Sequence, residues 1–380
     1  MENKIDINSL IGFFLIGLIF IGWLYLNPPP PETENTQNNN DVVANFENQD
    51  DDKDINDVLT KSDLKEKNES SLNFQNPLPN SEDIKIETEK FTIEFSSLGG
   101  QISSFQLKEH LNYLGEPIKL IDSGNSNFNL DFISNQDITV NTADYKFIPS
   151  VQDKGTVKEI SMKLMIDENT FLEYLYTVNI DDYIIDLKIN SKGFKNYINS
   201  DEGYNLNWEL NAFRNSKSIS YENRYTYMTY FYDEDKIDYL SISGDDEYNE
   251  ENINWISFKQ HFFSSVLIAE EPFEKAYFNT IDEADDSIDS PFTKKFIAQV
   301  PFNYLNNELD SSLKFYFGPN QYSQLETYGI GLEESVDFGW GIFGFINKNV
   351  FVPLYRFLSG LFPYGIAIIF MTIIVRIVLA

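Results

Sequence analysis

The feature that most constrains this sequence is the repeated alternation of apolar and polar side chains between residues 84 and 318. One face of a β-strand carries every second residue, so a period of two predicts half-buried strands. Turn sequences such as Leu98-Gly99-Gly100 separate the runs, and we expect no helix before Pro319, only one within Asn320 to Tyr328. The region is therefore predicted to be all-β, a large antiparallel sandwich. The clearest runs are Phe91, Ile93 and Phe95; Phe128, Leu130 and Phe132; Tyr174, Tyr176, Val178 and Ile180; Ile185, Leu187 and Ile189; and Leu206, Trp208 and Leu210.

The segment from Leu10 to Leu26 holds 17 residues without a charge. As a helix it would span roughly 26 Å, close to the thickness of the hydrocarbon core of a bilayer. Trp23 and Tyr25 stand where interfacial aromatic residues are typical, and no small-residue cleavage site follows. An uncleaved transmembrane anchor over residues 1–27 is therefore favoured over a signal peptide.

Residues 28–83 have the composition of a solvated tether. They contain the run Pro28 to Pro31, many asparagines and the acidic cluster at residues 50–54. Such a stretch buries too little apolar surface to offset the conformational entropy lost on folding. We expect a disordered acidic linker here, followed by the β domain at 84–330.

Composition narrows the functional classes. The chain has 60 acidic and 28 basic residues, a net charge of −32, which argues against nucleic acid as a direct ligand. It has no cysteine, which excludes disulfides and thiolate metal sites.

Other candidate site residues give weak signals. His110 and His261 lie in separate parts of the predicted sheet, and the acidic run at 282–289 lacks the spacing of a calcium loop. The aromatic run from Tyr225 to Tyr232 fits a strand packing face better than a carbohydrate-stacking platform. We expect no enzyme activity, no cofactor and no metal.

The sequence changes character between Trp340 and Phe362. Apolar residues recur there at spacings of three and four, while Lys348 and Arg356 lie off this stripe. This pattern predicts an amphipathic helix lying in the membrane interface, within a linker-and-helix segment at 331–362, with Pro353 breaking or restarting the helix. The stripe consists of Phe343, Ile346, Val350, Leu354, Phe357 and Leu361.

Residues 363–380 predict a second transmembrane helix, expected to be truncated at residue 380. The stretch from Tyr364 onward is apolar except for Arg376. An arginine inside a hydrophobic span is costly and persists where it faces a protein interior or a water-filled cavity. Thr372 lies one turn earlier on the same helical face, so the two residues predict a polar groove. The alternative is that Arg376 marks the far end of a short span and snorkels to the headgroups.

The whole arrangement resembles the YidC-type membrane protein insertases. The similar segments are KFTIEFSSLGGQISSFQL (Lys90 to Leu107), WISFKQHFFSSVLIA (Trp255 to Ala269) and Phe315 to Ala380. The last of these contains a strand ending in Gly-Pro, a short helix, Asp-Phe-Gly-Trp, the amphipathic helix and the arginine-bearing helix. The resemblance implies a periplasmic β-supersandwich, similar to galactose mutarotases, followed by the start of an α-helical insertase core.

The resemblance also implies the function. Arg376 and Thr372 would line a hydrophilic groove that accepts polar parts of an inserting chain, in a multi-pass protein of the inner membrane. The implied partners are newly made membrane proteins, the Sec translocon with its accessory subunits, membrane lipid, and the ribosome through parts that follow residue 380. The alternative is a membrane-anchored periplasmic β-sandwich that binds or processes carbohydrate, which would require a concave pocket of aromatic and carboxylate side chains.

Overall fold

The computed structural model describes residues 74–75, 83–199, 203–285, 287, 289–302 and 308–379. The predicted anchor at 1–27 and most of the predicted linker lie outside these residues. Within them the large domain consists mainly of β-strands, as predicted, and these strands pair antiparallel in two sheets.

Seventeen strands are present in the described part of the chain. The small sheet has the order β1-β2-β3-β4, and the main path of the large sheet has the order β6-β5-β11-β16-β15-β17-β10-β9-β8-β7. Strand β14 also pairs with β15, β12 with β14, and β13 with β12. The strands are β1 Ile84–Glu87, β2 Phe91–Phe95, β3 Ile102–Leu111, β4 Pro117–Ile121, β5 Ser126–Ile133, β6 Thr139–Asn141, β7 Ile148–Asp153, β8 Val157–Asp167, β9 Thr170–Asn179, β10 Ile184–Lys192, β11 Tyr204–Phe213, β12 Tyr227–Tyr232, β13 Lys236–Tyr239, β14 Asp246–Lys259, β15 Phe263–Asp282, β16 Phe292–Phe302 and β17 Asp310–Pro319.

Aromatic side chains pack the small sheet onto the large one. The ring centroids of Phe105 and Phe317 are 5.0 Å apart, and those of Phe95 and Tyr176 are 4.9 Å apart. All four side chains are buried, and burying one such side chain stabilises the fold by about 1.5–3 kcal/mol. The alternating residues predicted to face the core are buried, with one exception. Ile180 is only half-buried, because it lies beyond the end of β9.

A helix α1, Ile219–Asn223, lies before Pro319, so the prediction of an uninterrupted β region is wrong at this point. The Ser218 side chain caps it by accepting a hydrogen bond from the Tyr221 backbone N–H at 3.2 Å. The buried Glu222 carboxylate accepts two backbone N–H groups of the preceding loop, which fixes the loop against the helix. These are local polar contacts in a five-residue helix, too short to show a helical apolar period in the sequence.

The remaining helices follow the last strand. Helix α2, Tyr322–Glu326, lies within the segment for which a helix was expected. Helix α3, Gly341–Ile346, a π-helical turn, Asn347–Phe351, and helix α4, Val352–Ser359, form one continuous helix, and α5 spans Tyr364–Leu379. Single 3₁₀ turns occur at Thr142–Asp144, Phe194–Asn196 and Leu332–Ser335.

Of the two outcomes expected for Pro353, a break in the amphipathic helix does not occur; α-helical pairing restarts at α4 instead. Proline lacks the N–H that an α-helix interior requires. Here it stands in the first turn of α4, directly after the π-helical turn Asn347–Phe351, where the backbone pairing already changes. Among the residues that the structure describes, no helix combines the length and apolar composition needed to cross a membrane.

Candidate functional site

The two predicted groove residues, Thr372 and Arg376, lie on one face of α5, one turn apart, and both are exposed. Thr372 Oγ1 donates a hydrogen bond to the Ile368 carbonyl at 2.9 Å, so its proton is committed to its own helix while the oxygen can still accept. No acidic side chain of the described residues pairs with Arg376. The guanidinium donors are therefore available on an otherwise apolar surface. That surface includes the exposed residues Ile369, Ile373, Ile377 and Val378.

The continuous helix from Gly341 to Ser359 exposes most of its apolar stripe. Phe343, Val350 and Phe357 stand out from the protein, whereas Ile346 and Leu354 are half-buried. Contiguous exposed apolar surface of this kind marks contact with a membrane or another protein. Leu361, the last residue of the stripe, is also exposed, and neighbouring exposed apolar residues extend the surface; they are Trp340, Ile342 and Phe345.

The two cations that lie off the stripe bind acidic groups of the segment between β17 and the helix, around Tyr322. Lys348 Nζ lies 2.8 Å from Glu334 Oε1, and Arg356 Nη2 lies 2.8 Å from Glu326 Oε2. The Arg356 guanidinium lies 5.1 Å from the centroid of the Tyr322 ring, and Lys348 Nζ lies 6.0 Å from it. The hydrogen bond from Lys348 to Glu334 raises the lysine pKa. We call these five residues the Tyr322 clamp.

The segment that carries the clamp acids is anchored in the β domain. Leu325 and Leu332 are buried in its core. Trp255 Nε1 donates a hydrogen bond to the Ile330 carbonyl at 3.1 Å, and the Tyr328 hydroxyl donates to Asp182 at 2.6 Å. Because this segment is anchored, the clamp fixes the amphipathic helix to the β domain. Sequence reasoning missed it, because the spacing of the residues does not show which carboxylates the cations meet.

The two histidines, far apart in the sequence, contact neighbouring phenylalanines, Phe263 and Phe262. The His110 ring centroid lies 5.3 Å from that of Phe263, and His261 stacks on Phe262 at 3.8 Å. No cluster suited to a metal ion occurs in the described part of the chain. In the acidic run, Asp282 accepts hydrogen bonds from Asn223, and its carboxylate lies 3.5 Å from Lys294 Nζ, which is a structural role.

The predicted aromatic packing face is present on β12. Tyr230 and Phe231 are buried, and the Phe231 ring stacks on Trp255 with centroids 5.4 Å apart. Tyr230 likewise stacks on Phe278 at 4.8 Å. Because these rings are enclosed by neighbouring side chains, they form part of the core and not a platform for a ligand.

A large antiparallel β domain that leads into an amphipathic helix and an arginine-bearing apolar helix defines the class of protein: an all-β domain that continues into C-terminal helices. Residues 83–353 match the family described as YidC periplasmic domain, and the chain belongs to this YidC family.

Curated relatives in this family are longer than the chain. The membrane protein insertase YidC of Parabacteroides distasonis is 32% identical, over 98% of this chain and 62% of that protein. That of Azobacteroides pseudotrichonymphae is 31% identical, over 98% of this chain and 61% of that protein. The chain thus spans about three fifths of the length of these relatives. The crystal structure of the periplasmic domain of Thermotoga maritima YidC aligns at a TM-score of 0.32 and 13% identity, covering 68% of this chain and 95% of that chain.

Proposed function

We propose that the chain is part of an insertase that moves integral membrane proteins into the inner membrane and assists their folding, with its β domain on the periplasmic side. The observation that carries the proposal is the exposed pair Thr372 and Arg376 on one face of an apolar helix. That helix follows directly after an amphipathic helix with an exposed apolar stripe, in a chain whose relatives are named membrane protein insertases.

The polar pair would lower the barrier for polar segments of a substrate. If α5 enters the hydrocarbon near Tyr364, Arg376 lies roughly 18 Å along the helix, well inside the membrane. A cation at this depth needs water or protein around it, so the helix face is expected to border a hydrated groove. Moving an unpaired polar group through hydrocarbon costs several kcal/mol, and a hydrated groove removes much of that cost. Arginine also offers five donors that bind carboxylates and carbonyls.

The substrate itself would provide the driving force. Once its polar flank occupies the groove, its apolar segment gains free energy by moving from water into lipid. The step requires neither a covalent intermediate nor a cofactor. The partners of such a reaction are newly made membrane proteins, membrane lipid and, where insertion is coupled to translocation, the Sec translocon.

The proposed domain organisation gives each segment a role. Residues 1–27 would anchor the chain, and 28–83 would tether the β domain at 84–330. The amphipathic helix within 331–362, held by the Tyr322 clamp, would lie in the interface and set the depth at which the helix at 363–380 enters the membrane. The second groove residue, Thr372, would then face the same hydrated space as Arg376.

The test is insertion of a single-span substrate into proteoliposomes by the complete gene product. We expect Arg376→Glu to reduce insertion about tenfold or more, since it reverses the charge of the groove, and Arg376→Lys to retain much of the activity because it keeps the cation. Lys188→Glu, at an exposed lysine of the β domain, is the control for charge reversal. Unimpaired insertion by Arg376→Glu at equal protein levels would refute the proposed groove.

A further inference from the structure

A cleft of about 450 Å³ lies where separate parts of the β domain meet. The ends of β3 and β17, one residue of β4, the loop after β11 and the turn between β14 and β15 contribute to its lining. Its volume is within the range of small-ligand pockets, so it has room for a short peptide or a small molecule. None of the sequence motifs considered above points to it.

Apolar side chains and mostly neutral polar groups line the cleft. Its walls include Leu111 and Phe262, which are 62% and 59% exposed, and the buried Ile118. Its polar lining groups are carboxamides, a hydroxyl and the His110 ring. No aspartate, glutamate, lysine or arginine lines it, in a chain with 60 acidic and 28 basic residues. The cleft therefore fits an uncharged ligand that has both apolar and hydrogen-bonding groups. It is not the aromatic and carboxylate pocket that a carbohydrate enzyme requires.

Hydrogen bonds to Gln260 hold two carboxamides of the cleft lining, those of Asn320 and Asn215, in place. Asn320 Nδ2 donates to the Gln260 carbonyl at 2.9 Å, and Asn215 Nδ2 donates to Gln260 Oε1 at 2.8 Å. Asn320 Oδ1 also accepts from Ser264 Oγ at 2.6 Å. Gln260 itself is 1% exposed, and its Nε2 finds no acceptor among the described residues. These hydrogen bonds preorganise the polar side of the cleft. The buried Gln260 Nε2 beside it is a hydrogen-bond donor that still lacks an acceptor among the described residues.

The wall formed by β3 has no strand partner beyond Leu107 on the side of β2, while Leu111 pairs with Pro117 of β4 on the other side. The pairing of β3 with β2 ends at Leu107, with one further hydrogen bond from the Lys108 N–H to the Lys90 carbonyl at 2.9 Å. Glu109 to Leu111 continue as a strand, and no described strand pairs with them on that side. Unpaired strand edges of this kind accept an additional extended chain.

The geometry points to a binding site for an extended, uncharged polypeptide segment. The segment adds as a short strand to Glu109–Leu111 and places an aromatic or large aliphatic side chain between Leu111 and Phe262. This inference rests on the proposed function, because the polypeptide that occupies the site is part of a substrate protein on the β-domain side of the membrane. A carbohydrate would also contact the carboxamides and the Phe262 ring, but it would have no use for the strand end.

The experiment is fluorescence anisotropy with the chain in lipid nanodiscs and a labelled, end-capped peptide of sequence GSVFVSG. We expect saturable binding that Phe262→Ser and Leu111→Ser each weaken about tenfold or more, because both remove a contact of the central side chain. The matched control Tyr248→Ser changes an exposed aromatic residue outside the cleft and should alter the affinity less than twofold. A peptide N-methylated at its central residues should also bind at least tenfold more weakly, since it cannot complete strand pairing.

The results that overturn the inference are distinct. Absence of peptide binding, or equal effects of Phe262→Ser and Tyr248→Ser, would exclude the cleft as the site. Undiminished binding of the N-methylated peptide to the unaltered chain would exclude strand addition. Displacement of the peptide by maltose or cellobiose would assign the cleft to carbohydrate. The insertion assay with Arg376→Glu is independent of all these readouts, so failure of the cleft and failure of the proposed insertase remain distinguishable.

Discussion

At the scale of single residues, Lys259 is a buried cation whose environment disfavours its charge. The side chain is 4% exposed, lies 4.3 Å from the centroid of the Tyr227 ring, and donates to the Tyr225 carbonyl at 3.4 Å. Burial lowers the pKa of Lys259 to about 8, and the nearby Asp337 carboxylate only partly offsets this effect. The ring and carbonyl stabilise the ammonium less than water does, so the charged state carries a free-energy cost in the folded protein.

This cost predicts a pH dependence of stability. Between about pH 8 and the ordinary lysine value near 10.4, the unfolded chain binds more protons at this residue than the folded chain. The free energy of unfolding should therefore rise with pH in this window, by at most about 1.4 kcal/mol per pH unit, and the full cost should apply below pH 8. Lys259→Met should abolish the rise. Urea unfolding at pH 7.5 and 9.5, with Lys188→Met as the exposed control, measures it.

A rise of similar size in Lys259→Met would show that another group is responsible. Tryptophan fluorescence is a suitable signal, because Trp208 and Trp255 are both buried in the β domain and report its unfolding directly.

At the scale of secondary-structure elements, the Tyr322 clamp decides how the amphipathic helix meets the β domain. Each of its ion pairs is about two-fifths exposed, and pairs of this kind contribute less than about 1 kcal/mol in isolation. Arg356 additionally lies over the Tyr322 ring, and a cation over an aromatic face adds about 0.5–1 kcal/mol at exposed sites. The two cations are eight positions apart on one helix, so together they fix both its position and its rotation.

A double-mutant cycle of Arg356→Ala and Glu326→Ala tests the clamp. We expect a coupling energy of about 0.5–1 kcal/mol at low salt that decreases at 0.5 M salt, because exposed charges are screened. The cycle of Lys188→Ala and Asp310→Ala is the control, since this pair has the same distance of 2.8 Å and its lysine lies over no aromatic ring in the described part of the chain. Equal coupling in the two cycles would mean that the Tyr322 ring does not strengthen the pairing of Arg356 with Glu326, since the direct contact of Arg356 with the ring cancels in the cycle.

The elements differ in how far the sequence predicts them. The strands β2, β9 and β10 follow from local alternation, because the side chains of a half-buried strand face core and solvent in turn. The contact of Lys348 with Glu334, 14 positions apart, depends on the path of the intervening chain and leaves no local pattern. The same holds for the contact of His110 with Phe263, which depends on how strands distant in the sequence pack. Thr372 and Arg376 are recognisable because both lie on one regular helix.

At the scale of the whole molecule, the chain has two contrasting surfaces. Its net charge of −32 favours a solvated β domain and opposes adhesion to anionic lipid. The helices from Gly341 onward instead expose aromatic and aliphatic side chains. Because the Tyr322 clamp joins the two parts, the orientation of the β domain towards a membrane follows from the orientation of the amphipathic helix.

Trp340, at the start of that helix and 65% exposed, reports this orientation. An interfacial helix places its first tryptophan at the level of the headgroups, whereas Trp208 and Trp255 remain inside the β domain. In a Trp23→Phe background reconstituted into vesicles, lipids brominated near the headgroup should quench a substantial part of the tryptophan emission. The further change Trp340→Phe should remove nearly all of that quenching, because the two remaining tryptophans lie beyond contact with lipid. Quenching that persists without Trp340 would place the β domain itself in the bilayer, and absence of quenching in its presence would place the helix in water.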